Sequence, residues 1–200
     1  MKTASYWLIT VILTVGPALG QHKSSDQIKV ITVCEALGDV NGFADAAVAV
    51  VGRLERTVSL TDHYEFLSQD QCQHPVVTHG HIWSARIQLW TDWEEGAPRP
   101  PSDRPKLQEA VVAAKLSFVR KTTKLGSHEE PRVGPDGHFS SAVVPNEWAV
   151  VYGRIVRSPR LDEDCGARGC GGDDVPLVVI AEPDQVHRLR PEGRQLPEGK

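Results

Sequence analysis

The sequence has 200 residues, of which 40% are hydrophobic, and this is enough for one domain with a buried core. Its formal net charge is -4, and its lysine and arginine residues form no basic stripe. A protein that binds a phosphate backbone normally carries such a stripe, so the composition argues against a nucleic-acid partner.

Residues 1–20 have the organisation of a secretory signal peptide. Lys2 precedes an apolar run at residues 7–15, and the small-residue pattern Ala18-Leu19-Gly20 follows it. The run is shorter than the roughly 20 residues that a membrane span needs. We expect cleavage before Gln21 and a secreted or periplasmic product. No later segment is long and apolar enough to cross a bilayer, so we expect no membrane span after cleavage.

The pattern after the leader predicts one domain at residues 28–182 and a polar tail at residues 183–200. Residues 28–34 indicate a short strand or an extended lead-in, and residues 35–42 a single helical turn. From Lys106 onward the period changes, because four apolar residues have the spacing of one helical face: Leu107, Val111, Ala114 and Phe118. The predicted strands cover residues 46–57, 62–67, 87–90, 148–157 and 175–180.

Two of these strands are copies of one pattern. Residues 47–57 and 149–158 each place β-branched residues before a glycine and continue as Gly-Arg-aliphatic-x-Arg-hydroxyl. A residue without Cβ at this position indicates a sharply bent strand, and two bent strands suggest a closed barrel. Three strands, one helix and two strands are the order of the OB barrel. We therefore predict a mainly β fold, a five-stranded OB-like Greek-key barrel with one α-helix between strands 3 and 4; a β-sandwich fits less well.

Four cysteines occur, and export would place them where disulfides persist: Cys34, Cys72, Cys165 and Cys170. Three pairings are possible. We favour Cys34 with Cys72 and Cys165 with Cys170, since the second pair shares one tight, glycine-rich loop. A redox or metal role for the close pair is the alternative, but the spacing is not Cys-x-x-Cys.

Several segments also resemble a group of exported bacterial proteins of unknown function that have an OB-fold-like domain. The resemblance covers residues 28–180. It lies in Val33–Leu37, the Asn41-Gly42 turn, Val48–Leu54, Asp70–Trp83, Val119–Leu125 and Val151–Arg154. It implies an exported OB-like domain with Cys34 bonded to Cys72, and it implies no activity and no site residues.

Histidines concentrate before the third predicted strand, and they are candidate metal ligands. If residues 78–83 are extended, His79 and His81 project from one face, as two imidazoles must to share a metal such as zinc. His74, His63 or Asp70 would supply a third ligand and leave a position for water. Solvent-facing loop histidines are the alternative.

Tryptophans and arginines are candidate ligand-binding residues. OB folds bind sugars or bases on a stacking platform of aromatic side chains. Here that platform would be formed by Trp83, Trp90, Trp93 and Trp148. The alternative is that at least two of them fill the barrel interior or cover its end, since tryptophan buries a large area. Arg53 and Arg154, equivalent in the repeat, would flank an anionic ligand, or would be outward residues that pack their stems and keep their charge in water.

No nucleophile motif and no phosphate-binding glycine motif is present in the sequence. We therefore expect a non-catalytic binding or interaction module whose partner is a small molecule, a glycan or an envelope protein, with no cofactor. The alternative is a metal-dependent hydrolase that uses a zinc site at His79 and His81.

Overall fold

The computed structural model describes residues 28–58, 63–91, 98–122, 142–163 and 175–189. The predicted signal peptide, Trp93, Cys165 and Cys170 lie outside these ranges. The helices are α1 (Val33–Gly38) and α2 (Glu109–Thr122), with 3-10 turns at Pro159–Asp162 and Pro183–Gln185. The strands are β1 (Val30–Thr32), β2 (Ala47–Val58), β3 (His63–Ser68), β4 (Val77–Thr78), β5 (His81–Ile82), β6 (Arg86–Trp90), β7 (Ala142–Arg157), β8 (Leu177–Ile180) and β9 (Val186–Leu189).

Five strands close into a barrel in the order β2, β3, β6, β8, β7 and back to β2. The β6 and β8 strands run parallel, and the other neighbours in the barrel run antiparallel. The interior is filled by buried aliphatic side chains, among them Val48, Val50, Leu54, Leu67, Ile87, Val151, Ile155 and Val179. The α2 helix follows the third barrel strand and precedes the fourth. The predicted mainly β fold, a five-stranded barrel with one helix in that place, is confirmed.

The repeated glycines occupy equivalent places in this barrel. Up to Val51, β2 is flanked by β1, and from Arg53 it is flanked by β3, so Gly52 lies where the neighbouring strand changes. Gly153 lies at the matching change on β7, from β9 to β8. A Cβ on Gly153 would be 2.6 Å from the Ile180 carbonyl oxygen, and one on Gly52 would be 2.9 Å from Val33 Cγ2. Because neither glycine has a side chain, the second neighbouring strand, β3 beside Gly52 and β8 beside Gly153, can approach the backbone at this point.

The chain around Cys34 differs from the predicted strand or extended lead-in. The β1 strand ends at Thr32, and α1 starts directly after it, with Thr32 as its N-cap. Thr32 Oγ1 accepts a hydrogen bond from the Glu35 backbone N–H at 3.2 Å, and Glu35 Oε2 accepts one from the Thr32 N–H at 2.7 Å. This reciprocal capping box ends the strand two residues before Cys34.

The α2 helix packs on the outside of the barrel through Val112, Leu116 and Val119. These side chains cover Val51 on β2 and Val150 on β7, among others. The predicted stripe of Val111, Ala114 and Phe118 does lie on one face, but that face is exposed to solvent. Leu107 is buried before the helix begins, so it does not belong to the same stripe.

Residues 183–185 form a 3-10 turn and residues 186–189 a strand of the sheet, so the prediction of a polar tail from residue 183 is wrong for this segment. The β9 strand pairs antiparallel with β7, from Val186 opposite Val151 to Leu189 opposite Trp148. Leu189 is buried against the core that α2 covers. Among the residues that the structure describes, no helix has the length and apolar character needed to span a membrane.

Candidate functional site

A small β-hairpin at residues 76–83 stands apart from the barrel sheet. Its strands β4 and β5 form their own two-stranded sheet, with Val77 opposite Ile82 and Thr78 opposite His81. His79 and Gly80 make the turn, with φ angles of 49° and 80°. Positive φ at both central residues is the requirement of a tight primed turn, which glycine meets without strain.

One tryptophan holds the inner side of the hairpin. Trp83 is buried, and its Nε1–H donates to Thr78 Oγ1 at 2.7 Å. The His81 ring meets the Trp83 ring edge-on, with centroids 4.9 Å apart. The Trp83 backbone N–H also donates to the Val76 carbonyl at 2.9 Å, which closes the base of the hairpin. An isolated two-stranded hairpin is marginally stable in water, so these contacts fix its shape.

A disulfide anchors the loop that leads into the hairpin. Cys34 and Cys72 are bonded, which confirms the favoured pairing for these two residues. The buried Gln69 accepts a hydrogen bond from the Cys34 backbone N–H at 3.1 Å and donates one to Thr122 Oγ1 at 3.2 Å. The loop is thereby tied both to α1 and to the end of α2.

The outer side of the hairpin is apolar and exposed. Val77 is 53% exposed and Ile82 is 67% exposed, and the two form a cross-strand pair. Ile82 is the most exposed large hydrophobic residue in the described part of the chain. We call the Val77–Ile82 pair the hairpin patch. The hairpin thus presents two aliphatic side chains on a fixed support.

The predicted metal cluster does not assemble as expected. The premise that residues 78–83 are extended is wrong, because His79 lies in the turn rather than on a strand shared with His81. His74 and His79 are exposed, whereas His81 is half-buried against Trp83. Within the described ranges, no three His, Cys, Asp or Glu side chains are grouped so that they could hold a metal ion. The side chain of His63 lies outside the described part.

The described tryptophans do not build a shared stacking face. Trp83 is buried beneath the hairpin, and Trp148 is buried in the core under α2. Trp90, at the end of β6, is 39% exposed. Trp83 and Trp148 are therefore both buried, but Trp148 lies under α2 rather than in the barrel interior, where the alternative placed the buried tryptophans.

The two equivalent arginines lie far apart and have different roles. On the β2–β7 ladder Arg53 is opposite Trp148 and Arg154 is opposite Ala47, six positions along, or roughly 20 Å. Arg154 donates to the carbonyl oxygens of Arg99 and Asp45, both at 3.1 Å. The hypothesis that both arginines flank one ligand is therefore wrong.

Arg53 belongs to a buried ionic network that the sequence analysis did not predict. Its Nη2 is 2.7 Å from Glu55 Oε1 and 3.1 Å from Asp70 Oδ1. Ser68 Oγ donates to Glu55 Oε1 at 2.6 Å. Arg53 and Glu55 are both buried. The alternative prediction, that Arg53 points outward and keeps its charge in water, is therefore wrong. Their spacing of two on one strand, which puts them on one face, is the signal that would have indicated the pair.

A polar cleft of about 280 Å³ lies where the segment before α2 meets the C-terminal turn. Tyr152, on its wall, donates its hydroxyl hydrogen to the Asp103 carboxylate, with oxygen distances of 3.0 and 2.9 Å. Burial, then the hydrogen bond and negative charge of Asp103, raise the pKa of Tyr152 to about 12. Arg104 and Asp184 pair at 3.0 Å across the rim.

Comparison of the chain with protein-family models, with curated proteins and with solved structures finds no match.

Proposed function

We propose that this chain is an exported, OB-like, non-catalytic binding module that uses the hairpin patch to dock on an envelope protein. The exposed Val77–Ile82 pair on a braced hairpin carries the proposal. Large exposed apolar side chains that stand together, rather than singly, mark interaction sites.

The bracing of the hairpin supports recognition of a partner. Trp83, its hydrogen bond to Thr78 and the Cys34–Cys72 disulfide hold the patch in one conformation before a partner arrives. Less conformational entropy is then lost on binding. Val77 and Ile82 are half to two-thirds exposed, so burying the rest of each side chain contributes about 1–2 kcal/mol, and this pair is a fitting centre for a small interface.

A protein partner fits better than a glycan or a small molecule. Two of the described tryptophans are buried, which leaves no paired aromatic platform for a sugar among them. The barrel interior is filled by aliphatic side chains. The hairpin patch projects outward, so it suits an apolar groove on another protein.

The disulfide supports the proposed export. Disulfides persist in oxidising compartments such as the periplasm or the extracellular space. The Cys34–Cys72 bond joins α1 to the loop before the hairpin. A folded chain that needs this bond to brace its binding surface would work best outside the cytoplasm.

A capture experiment followed by reconstitution tests the function. The oxidised protein is immobilised in an envelope extract beside the variant Val77→Ser/Ile82→Ser and the control Val111→Ser, which changes an exposed valine on α2. We expect one dominant protein on the wild type and the control but not on the double variant. The purified partner should bind the double variant at least about 30-fold more weakly, the effect of losing a hot spot. Equal binding by the double variant would refute the proposal.

The same protein preparation tests the rival hydrolase. Zinc content is measured for the wild type and for His79→Ala/His81→Ala. One zinc per chain in the wild type, lost in the variant, would favour the metal-dependent hydrolase over the binding module.

A further inference from the structure

The outward face of α2 is apolar along most of its length, although the opposite face already packs on the barrel. Ala110, Val111, Ala114 and Phe118 lie on it, and Phe118 is 54% exposed. Together with Glu35 and Lys115 they line a groove of about 500 Å³ between α2 and α1. We call these six residues the helix groove. A helix that is apolar on both sides indicates a second packing partner.

We propose that the helix groove binds a second copy of this chain, with the two α2 helices antiparallel across a twofold axis at Ala114. The groove is self-complementary in shape for this arrangement. Phe118 lies one turn after Ala114, and Ala110 lies one turn before it. A half-turn about Ala114 therefore sets the large ring of Phe118 of one copy over the small Ala110 of the other. Two identical knobs fill two identical hollows, as an isologous interface requires.

The charges around the groove agree with the same twofold axis. Lys115 is ion-paired with Glu35 on one flank, so the flank carries no uncompensated charge near the centre. Burial raises the pKa of Glu35, but the hydrogen bond and charge of Lys115, with the backbone N–H of Thr32, outweigh this effect and lower the pKa below its ordinary value. Glu35 thus stays anionic.

The size of the surface sets the expected strength. The helix has 14 residues and is therefore about 21 Å long. A contact along one such helix lies at the low end of the areas of specific interfaces, so we expect a reversible dimer with a dissociation constant in the micromolar range. This association is separate from the hairpin patch, so either proposal can fail without the other.

Sedimentation velocity of the oxidised protein over a range of micromolar concentrations tests the dimer. We expect a monomer–dimer equilibrium in the wild type and association weakened at least about 30-fold by Phe118→Asp. Ser102→Asp, which adds the same charge at an exposed position outside the helix groove and the hairpin patch, should leave the equilibrium unchanged. A monomer at every concentration, or equal association by Phe118→Asp, would overturn the proposal. Circular dichroism checks that the exposed substitution leaves the fold intact.

A cysteine at the proposed axis tests the geometry. Ala114→Cys should form a disulfide-linked dimer on mild oxidation, because the two copies of residue 114 meet at the twofold axis. Ser102→Cys, an exposed position outside the groove, should remain monomeric under the same oxidation. Lack of a cross-link in Ala114→Cys, or equal cross-linking of both variants, would refute the antiparallel arrangement.

Discussion

Gly153 lies where a side chain would collide with backbone rather than with another side chain. Its added Cβ would stand 2.6 Å from the Ile180 carbonyl oxygen, which the β7–β8 ladder holds in place. At Gly52 the nearest atom, 2.9 Å away, belongs to the Val33 side chain, which can shift. We therefore expect Gly153→Ala to lower the free energy of unfolding by about 3 kcal/mol and Gly52→Ala by about 1–2 kcal/mol.

Urea denaturation of both variants measures this difference. Gly38→Ala is the matched control, since a Cβ there meets no atom within 4 Å and the residue ends a helix. It should leave stability unchanged or raise it slightly. Equal losses in Gly153→Ala and Gly38→Ala would contradict the role assigned to the repeated glycine.

Tyr152 gives the protein a distinct alkaline transition. Its pKa rises from the ordinary tyrosine value of 10.0 to about 12 in the folded chain. The unfolded chain therefore loses this proton first as the pH rises, so the stabilising effect of the protonated phenol is complete below pH 10 and is lost between about pH 10 and 12. Tyr152→Phe should lack this part of the decline in stability.

Absorbance at alkaline pH follows the phenol directly, as the difference between the wild type and Tyr152→Phe. In Asp103→Asn the pKa of Tyr152 should fall but stay above its ordinary value, because burial, the largest cause, remains. An unchanged pKa in Asp103→Asn would remove Asp103 from the explanation.

The β2 and β3 strands are joined by charge as well as by backbone hydrogen bonds. Arg53 and Glu55 form a buried pair, and Met in place of Arg53 would leave Glu55 buried without its cation. We expect Arg53→Met to cost about 3 kcal/mol of stability. The Arg53–Glu55 pair lies within β2, whereas Arg56 on β2 pairs with Glu65 on β3 and is more exposed, so Arg56→Met should cost less than about 1 kcal/mol.

Replacing both buried partners tests the cause of that loss. Arg53→Met/Glu55→Leu should recover part of the stability that Arg53→Met loses, because the buried carboxylate is then gone and Asp70, which also loses its cation, is more exposed. Chemical denaturation of the two single variants and the double variant gives the comparison. A double variant less stable than Arg53→Met would point to lost packing rather than to an unpaired charge.

The α2 helix shows which part of an element sequence periodicity can predict. Its existence and place followed from spacing, but its buried face did not. Two apolar series run along it, one ending at Phe118 and one at Val119. Counting the buried Leu107 as helical favoured the first series, although the helix begins at Glu109. Only the position of β2 and β7 decides which series is buried, and that is a tertiary property.

The hairpin shows a similar limit at the site. The sequence singled out His79, His81 and Trp83, and all three lie in the hairpin. Alternation along an extended strand predicted a shared face for the histidines, but Gly80 allows a turn, which changes the direction of every side chain around it. The exposed apolar residues of the hairpin, Val77 and Ile82, have no chemical signature that marks them in a sequence.

The whole molecule is organised around the repeat as an approximate twofold arrangement. The β2 and β7 strands pair antiparallel about Val50 and Val151, and each changes its outer neighbour at its glycine. The β1 strand flanks the first half of β2, and β9 flanks the equivalent half of β7. The sequence revealed the two copies, but not β9, because Val186–Leu189 has two adjacent polar residues, His187 and Arg188, at its centre and resembles a solvated tail.

If this arrangement is required, the chain must extend through β9 to be stable. Ending it after residue 182 removes four ladder partners of β7, the buried Leu189 and the ion pair of Arg188 with Glu147. It also removes Gln185, which donates to the carbonyls of Pro101 and Asp103 at 3.3 and 3.1 Å. Burial of one leucine alone contributes about 1.5–3 kcal/mol. We therefore expect a loss of about 3 kcal/mol or more, measured by urea denaturation against a matched chain that ends after residue 190. Equal midpoints would mean that β7 tolerates an open edge and that the twofold surroundings are not needed for folding.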